Sequence, residues 1–400
     1  MSAKRTIFNQ RRGKQCGAVL MVMLVIMIVG IAAILVNSLS STTLKNARQA
    51  NTAAALAQAK DALIGFAITY GDTHSGQVHG YLPCPDYAGG NPEGSAEPLC
   101  GSKDISVIGR LPWRTLDLST LRDGDGECLW YAVSGTYKNN PNTDLMNWDT
   151  NGQLQAFSSD GTLLTQPDNQ VVAVIFAPGA ALSGQNQNRS PGGTAPICGG
   201  NYTAANYLDN DTVHSINNAN IATGKFIQGT SSGSVNDQML FITRQDIWNA
   251  IKKRNDFNTI VSSLLSIAIA CSSPPVTVDF GTTPPTETPG VTVGSLKIGR
   301  VPKVCLASPW NNWQDNLLYA TCTSGKCINS NSCGGVVIFS GQRNTSQTRI
   351  TNADKNTWSN YLENTPSANL TAFTTGGTSF SGASSYSATS PSTDVVACIP

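Results

Sequence analysis

From residue 18 to residue 36 the chain reads AVLMVMLVIMIVGIAAILV, nineteen positions without a charge or a strongly polar side chain. That length is about enough to cross a bilayer as a helix. The helical pattern does not stop there. Residues 40–73 are rich in Ala, contain no Pro, and have no Gly until Gly65. Leu44, Ala47, Leu56, Ala59, Leu63, Phe66 and Ala67 recur at roughly helical spacing, and the residue types favour helix. One helix is therefore expected over 18–70, roughly 80 Å long at about 1.5 Å per residue. Its first half, 18–36, is the expected transmembrane segment. Its second half is amphipathic and is expected to pack on the domain that follows.

Beyond Gly71 the period changes. Residues 71–125 are turn-rich, and 81–101, broken throughout by Pro and Gly, reads as loop. Strands are expected at 128–137, 153–157, 171–176 and 238–243, with the turns DTNG and SSDG between them. A helix capped by Asp246 and carrying Ile247 and Ile251 is expected next, followed by another over 257–270. The Pro- and Thr-rich segment 272–295 reads as an extended linker.

After that segment the chain repeats itself. LWYA at 129–132 matches LLYA at 317–320, and VIFAPGAALSGQ at 174–185 matches VIFSGQ at 337–342 with an insertion in the first copy. NYLDN at 206–210 matches NYLEN at 360–364, and NDQMLFI at 236–242 matches STDVVACI at 392–399 more weakly. The order is the same in all four cases, which points to two related β-lobes, about 105–255 and 296–400. The last strand should run 394–399, tied by Cys398. The expected fold class is α+β: a long N-terminal helix, then a large antiparallel-β-rich, disulfide-bonded head. In domains this gives a leader at 1–17, the helix at 18–70, a first head lobe with a helical end at 71–271, the linker at 272–295, and a second lobe at 296–400.

Composition narrows the class. Charged residues are 13% and aromatic residues 7%, with 37 Gly and 20 Pro, the profile of a loop-rich exported protein. Lys4, Arg5, Arg11, Arg12 and Lys14 precede the apolar run, and the first acidic residue of the chain is Asp61. That asymmetry keeps the N-terminus in the cytoplasm. Without those five bases, 21 basic residues face 25 acidic ones, a net charge of −4 that gives no support for nucleic-acid binding. Of the 11 cysteines, Cys16 lies before the apolar run. The other ten are Cys84, Cys100, Cys128, Cys198, Cys271, Cys305, Cys322, Cys327, Cys333 and Cys398, enough for five disulfides in an oxidising compartment. Local pairs, Cys84 with Cys100 and Cys327 with Cys333, are the expectation. Zinc at Cys322, Cys327 and Cys333 is the rival reading, opposed by the absence of tight C-x-x-C pairs.

Candidate chemistry is sparse. Asp123, Asp125 and Glu127 in RDGDGE place several oxygens in one Gly-rich turn and are the candidate Ca²⁺ ligands. A solvated hairpin turn is the bland alternative. GTSSG at 229–233 matches G-x-S-x-G with Ser231 at its centre, but its surroundings are a Gly/Ser loop rather than a strand and a helix. His74 and His79 form a close pair without a further ligand. Trp310 and Trp313 suit a core or lobe-interface position better than a glycan platform. No phosphate-binding loop or dinucleotide fingerprint occurs. The chain is expected not to be an enzyme and to need no cofactor, Ca²⁺ apart.

The junction KQCG followed by AVLMVML resembles the prepilin leader of the type IV pilin and type II secretion pseudopilin superfamily. A signal peptidase site is missing after Val36, where the chain reads NSLSS, and Cys16 precedes the apolar run, which rules out a lipoprotein signal. The resemblance implies cleavage after Gly17 by the prepilin peptidase, leaving Ala18 as an N-methylated mature terminus. The phrase LAQAKDALIGFA also resembles the helix end of large pilin-like proteins of Gram-negative bacteria. One position departs: the family's fifth mature residue is Glu, and here it is Val22. The resemblance implies a minor pilin or pseudopilin that helps to assemble, initiate or cap a type IV pilus or type II secretion pseudopilus. Its partners would be other pilins or pseudopilins and the inner-membrane assembly platform. The head would be periplasmic on a single-pass inner-membrane anchor before assembly, and in a pilus or pseudopilus, or at the cell surface, afterwards. An adhesin that displays its head for binding a surface or a glycan is the alternative.

Overall fold

A computed structural model of the chain describes residues 16–87, 91–185, 187, 197–230, 234–365 and 367–400. Helix α1 runs Cys16–Thr73 without interruption. Residues to Asn51 form one unit and Thr52–Pro400 another. In the first, Met21 and the side chains of 23–28 are exposed. Among the described residues no helix is long and apolar enough to cross a membrane. Most side chains of the expected span 18–36, with those of Gly17, Ala18 and Val22, lie outside the described residues, as does all of 1–15.

The second unit is a mixed structure of helices and antiparallel sheets. In chain order it holds β1 (Val107–Arg110), β2 (Trp130–Val133), β3 (Gln155–Phe157), β4 (Val171–Ala177), β5 (Asn210–Asp211), β6 (Ile216–Asn217), β7 (Lys225–Ile227) and β8 (Gln238–Thr243). Helices α2 (Arg244–Lys252) and α3 (Phe257–Ile269) follow. Then come β9 (Val276–Asp279), β10 (Thr286–Pro289), β11 (Val291–Val293), β12 (Leu296–Arg300), β13 (Leu317–Cys322) and β14 (Gly335–Phe339), the short helices α4 (Asn352–Lys355) and α5 (Asn369–Thr375), and β15 (Val395–Ile399).

The first large sheet has the order β1-β2-β4-β8 and the second β10-β9-β12-β13-β14-β15, with β11 also on β12. Every pair in both is antiparallel. Strands β4 and β14 read as unbroken apolar runs because both faces are covered. From β4, Val172, Ala173, Ile175 and Ala177 face a core lined by α1, α2 and α3, while Val174 and Phe176 face Trp130, Tyr207 and Phe226 on the other side. From β14, Val337 and Phe339 enter that same first core, and Val336 and Ile338 face Leu318, Tyr361 and Phe373. The two sheets thus share one core. Its centre is aromatic: the Trp148 ring lies 5.1 Å from Trp313 and 5.2 Å from Phe339. On α1, Ala55, Leu56, Ala59, Leu63, Ala67 and Tyr70 supply the buried stripe, three or four residues apart. Leu44, expected on the same stripe, is exposed.

Three local expectations need correction. Residues 272–295 are not a linker: β9 and β10 form a hairpin that joins the second sheet, and β11 pairs with β12. The signal was the alternation of Val276, Val278 and Phe280, outweighed in the sequence by the prolines. Pro289 is tolerated because β10 is an exposed edge strand. Asp246 does not cap α2. Thr243 does: its Oγ1 accepts from the Asp246 N–H at 3.2 Å, and Asp246 Oδ2 accepts from the Thr243 N–H at 2.9 Å, a capping box. The Cys327–Cys333 pairing gives way to Cys322–Cys327 and Cys333–Cys398: β15 lies beside β14, and Cys398 comes within 5.6 Å (Cα to Cα) of Cys333, just before β14. Cys84–Cys100 is found as expected, and Cys128–Cys198 and Cys271–Cys305 complete five bridges. With these bonds formed, the cysteine cluster at 322–333 offers no thiolates to zinc.

Candidate functional site

Three of the four repeated phrases fall on or beside corresponding strands of the two sheets, NYLDN and NYLEN fall on a short 3-10 turn in each half, and the register extends the match. LWYA and LLYA lie on or beside β2 and β13, each in the second position of its four-strand run. Trp130 pairs with Phe176, and Leu318 pairs with Ile338. The VIF phrases are therefore one residue out of step: Val174, Ile175 and Phe176 occupy the places of Val336, Val337 and Ile338. A fifth match escaped the sequence reading. Strand β1 ends in IGRLP and β12 in IGRVP, and Arg110 and Arg300 take the same place opposite Trp130 and Leu318.

Both arginines are buried, and among the described residues no carboxylate is bonded to either. Arg110 Nη2 donates to the carbonyls of Gly199 and Asn201 at 2.8 Å and to Tyr207 Oη at 3.1 Å, and its guanidinium sits 5.1 Å from the Tyr207 ring. Arg300 donates to the carbonyls of Asp315 and Lys355 and lies 4.1 Å from the Tyr361 ring. Tyr207 and Tyr361 are the tyrosines of NYLDN and NYLEN, and each ends a short 3-10 turn. In each half, then, one arginine on the first strand clamps one tyrosine on the following loop by cation–π contact.

Two residues beyond each tyrosine lies an acid, Asp209 or Glu363, and just before each last strand lies another, Asp237 or Asp394. In the first half Asp237 Oδ2 accepts from the Asp209 N–H at 2.7 Å and from Asn218 Nδ2 at 2.8 Å. Asp209 Oδ2 accepts from the N–H groups of Asn236 and Asp237, and its Oδ1 from Gln185 Nε2 at 2.7 Å. In the second half Glu363 Oε1 accepts from Gln347 Nε2 at 2.8 Å and Asn344 Nδ2 at 3.3 Å, and Asp394 Oδ2 from Asn369 Nδ2 at 3.2 Å. Asn218 and Asn369 play one part: each bonds both the N–H and the carbonyl of a neighbouring residue, Ile227 and Ser381. Burial, and then the Asp209 charge, push the Asp237 carboxyl well above the usual range. Burial, with Glu363 second, pushes Asp394 up to about 7. The second pair borders a cavity of about 330 Å³.

The candidate calcium turn is a hydrogen-bonded loop. Asp123 Oδ1 accepts from the N–H groups of Asp125 and Glu127, and Oδ2 from that of Gly179. Burial raises its carboxyl. Asp125 and Glu127 sit at the turn beside it, Glu127 buried. Among the described residues no group of three or more His, Cys, Asp or Glu side chains is placed to hold a metal ion. His74 stacks on Tyr70 at 3.9 Å, and burial lowers the His79 ring. Trp313 is buried in the core and Trp310 packs against it, and both line a small cleft with Trp248 and Phe257. Ser231 lies outside the described residues. Near its loop, His214 Nδ1 and Asp211 Oδ2 are 2.5 Å apart in a groove that Gly229 and Thr230 also line. No protein-family model matches the chain, and no curated protein or solved structure does either.

Proposed function

We propose that the chain is a non-enzymatic, membrane-anchored minor pilin-like or pseudopilin-like subunit, acting in the assembly, initiation or tip capping of a type IV pilus or type II secretion pseudopilus. The observation that carries this reading is the basic segment ending in Gly17, directly before an apolar run whose helix α1 continues to Thr73. Five disulfides suit a head that matures in the periplasm. The two sheets are read as copies of one ancestral unit, supported by the shared strand order and by the matched Arg110/Arg300, Tyr207/Tyr361 and Asp237/Asp394. The transmembrane role of 18–36, the partners and the location follow from the same reading.

The test is the start of the mature protein. N-terminal sequencing of chain purified from membranes should begin at N-methylated Ala18, and Gly17→Ala should leave the leader attached. An intact Met1, or a start near Ser40, would overturn the reading. A second reading, the displayed adhesin, draws on the acid-lined cavity of the second half.

A further inference from the structure

The tryptophan-lined cleft has a volume of about 170 Å³ and lies between the loop after α1, the helices α2 and α3, and the 3-10 helix Trp310–Asn316. Trp248, Phe257, Trp310 and Trp313 supply its rings, and Ile251 and Ile260 add aliphatic wall. The Trp248 and Trp313 rings stand 5.7 Å apart at 82°. Among these core indoles one N–H is left over. Trp148 and Trp248 give theirs to Asn316 Oδ1 and Tyr137 Oη, each at 3.1 Å. Trp313 packs against both rings and is only 3% exposed. Its Nε1–H has no hydrogen-bond partner among the described residues, and the atom is not sealed off as Trp130 Nε1 is. A buried donor left unpaired is costly, and the cleft that Trp313 lines is where an acceptor can reach it. The other polar side chains of the wall are Gln77, whose Oε1 already accepts from Asn142 Nδ2 at 3.2 Å, and His79. Burial holds the His79 ring below its ordinary value, so no residue of the wall is charged at neutral pH.

We propose that this cleft binds a neutral, single-ring aromatic molecule that carries one oxygen acceptor, a phenol being the simplest, with its ring among the tryptophans and its oxygen accepting from Trp313 Nε1–H. The inference stands on the head alone and does not depend on the filament reading. Size, charge and polarity each narrow the ligand. An apolar cavity of about 150 Å³ is enough to hold benzene, so a volume of about 170 Å³ admits one ring and a small substituent. An ion would lose its water to a wall that offers no counter-charge. A sugar would bring more hydroxyls than Trp313, Gln77 and His79 can meet, and the surplus would be buried unpaired. A saturated ring of the same size would fit the space but forgo the edge-to-face contacts that four aromatic side chains provide.

The experiment is equilibrium dialysis of the full chain in detergent against the same micelles without protein, so that uptake by the micelles cancels. Phenol, benzene, cyclohexanol and glucose are compared. Phenol should be retained saturably. Cyclohexanol has the same oxygen and a similar size but no aromatic face, and should be held about threefold or more weakly. Glucose should not be retained. Trp313→Phe keeps a ring and removes the N–H, and should lower the ratio of phenol to benzene affinity by about threefold or more. Ile260→Trp should fill the cleft and abolish phenol retention without lowering the melting temperature. No retention of phenol, equal retention of cyclohexanol, retention of glucose, or an unchanged phenol-to-benzene ratio in folded Trp313→Phe would each overturn the proposal. If Trp313→Phe unfolds, the selectivity of the unaltered chain among the four compounds decides by itself.

Discussion

Replacing Arg349 with Met strips the bonded cation from a carboxylate that has no access to water. Arg349 and Asp149 are both fully buried, 3.0 Å apart, and 200 residues apart in sequence. The same guanidinium bonds Asn316 Oδ1 at 3.1 Å, the Gly341 carbonyl at 3.0 Å and the Asn360 carbonyl at 2.5 Å, and stacks 4.3 Å from the Tyr361 ring. Around it runs a polar seam between the halves: Asn147 Nδ2 donates to Asp315 Oδ1 and Trp148 Nε1 to Asn316 Oδ1. Breaking a buried pair from one side costs about 3–5 kcal/mol, because the remaining charge stays desolvated. Against a total stability of about 5–15 kcal/mol, that is a large fraction. The double variant Arg349→Met/Asp149→Leu removes both charges and should recover about 2 kcal/mol of the loss. Urea unfolding followed by tryptophan fluorescence reads this directly, since Trp148 and Trp313 sit in the shared core. A single-variant loss below about 1 kcal/mol, or a double variant as unstable as the sum of its parts, would refute the claim that this pair fastens the halves.

Asp394 makes stability depend on pH in a stated direction. Its carboxyl is raised from 3.8 to about 7 in the folded chain, so the folded state holds a proton that the unfolded state has lost. Its contribution to stability should fall as pH rises from about 4 to 7, by about 1.4 kcal/mol per unit of difference, and level off above. Asp394→Asn should flatten that fall in melting temperature measured across pH 4–8; an unchanged slope would contradict it. For the disulfides, peptide mapping should recover Cys322 with Cys327 and Cys333 with Cys398. Cys398→Ser opens a loop of 65 residues and should cost about 4 kcal/mol in urea unfolding.

Elements defined by local pattern were legible in the sequence. Strand β8 was expected at its observed limits, β4 and β15 within one residue, and α3 within one residue at its end. What escaped depends on contacts between distant strands. The Cys333–Cys398 pairing depends on β15 lying beside β14, which no local spacing encodes. Strand β9 was hidden because proline content is a stronger signal of loop than four alternating residues are of strand. IGRLP and IGRVP went unread as a repeat, because the buried Arg110 and Arg300 have meaning only once Tyr207 and Tyr361 are seen beneath them. The acids of the candidate site stand in the repeated phrases NYLEN and STDVVACI, yet nothing in those phrases says that they meet.

The common core also fixes how the head can be dissected genetically. A chain cut before residue 296 would lose Trp313, Leu317, Tyr319, Val337 and Phe339, and Trp148, Phe257 and Ile251 would then face solvent. Such a truncation would aggregate rather than report on what the missing half does. The smallest separable piece is therefore the whole of 52–400, and its activities have to be assigned by single-residue changes at the surface, not by deletion of halves.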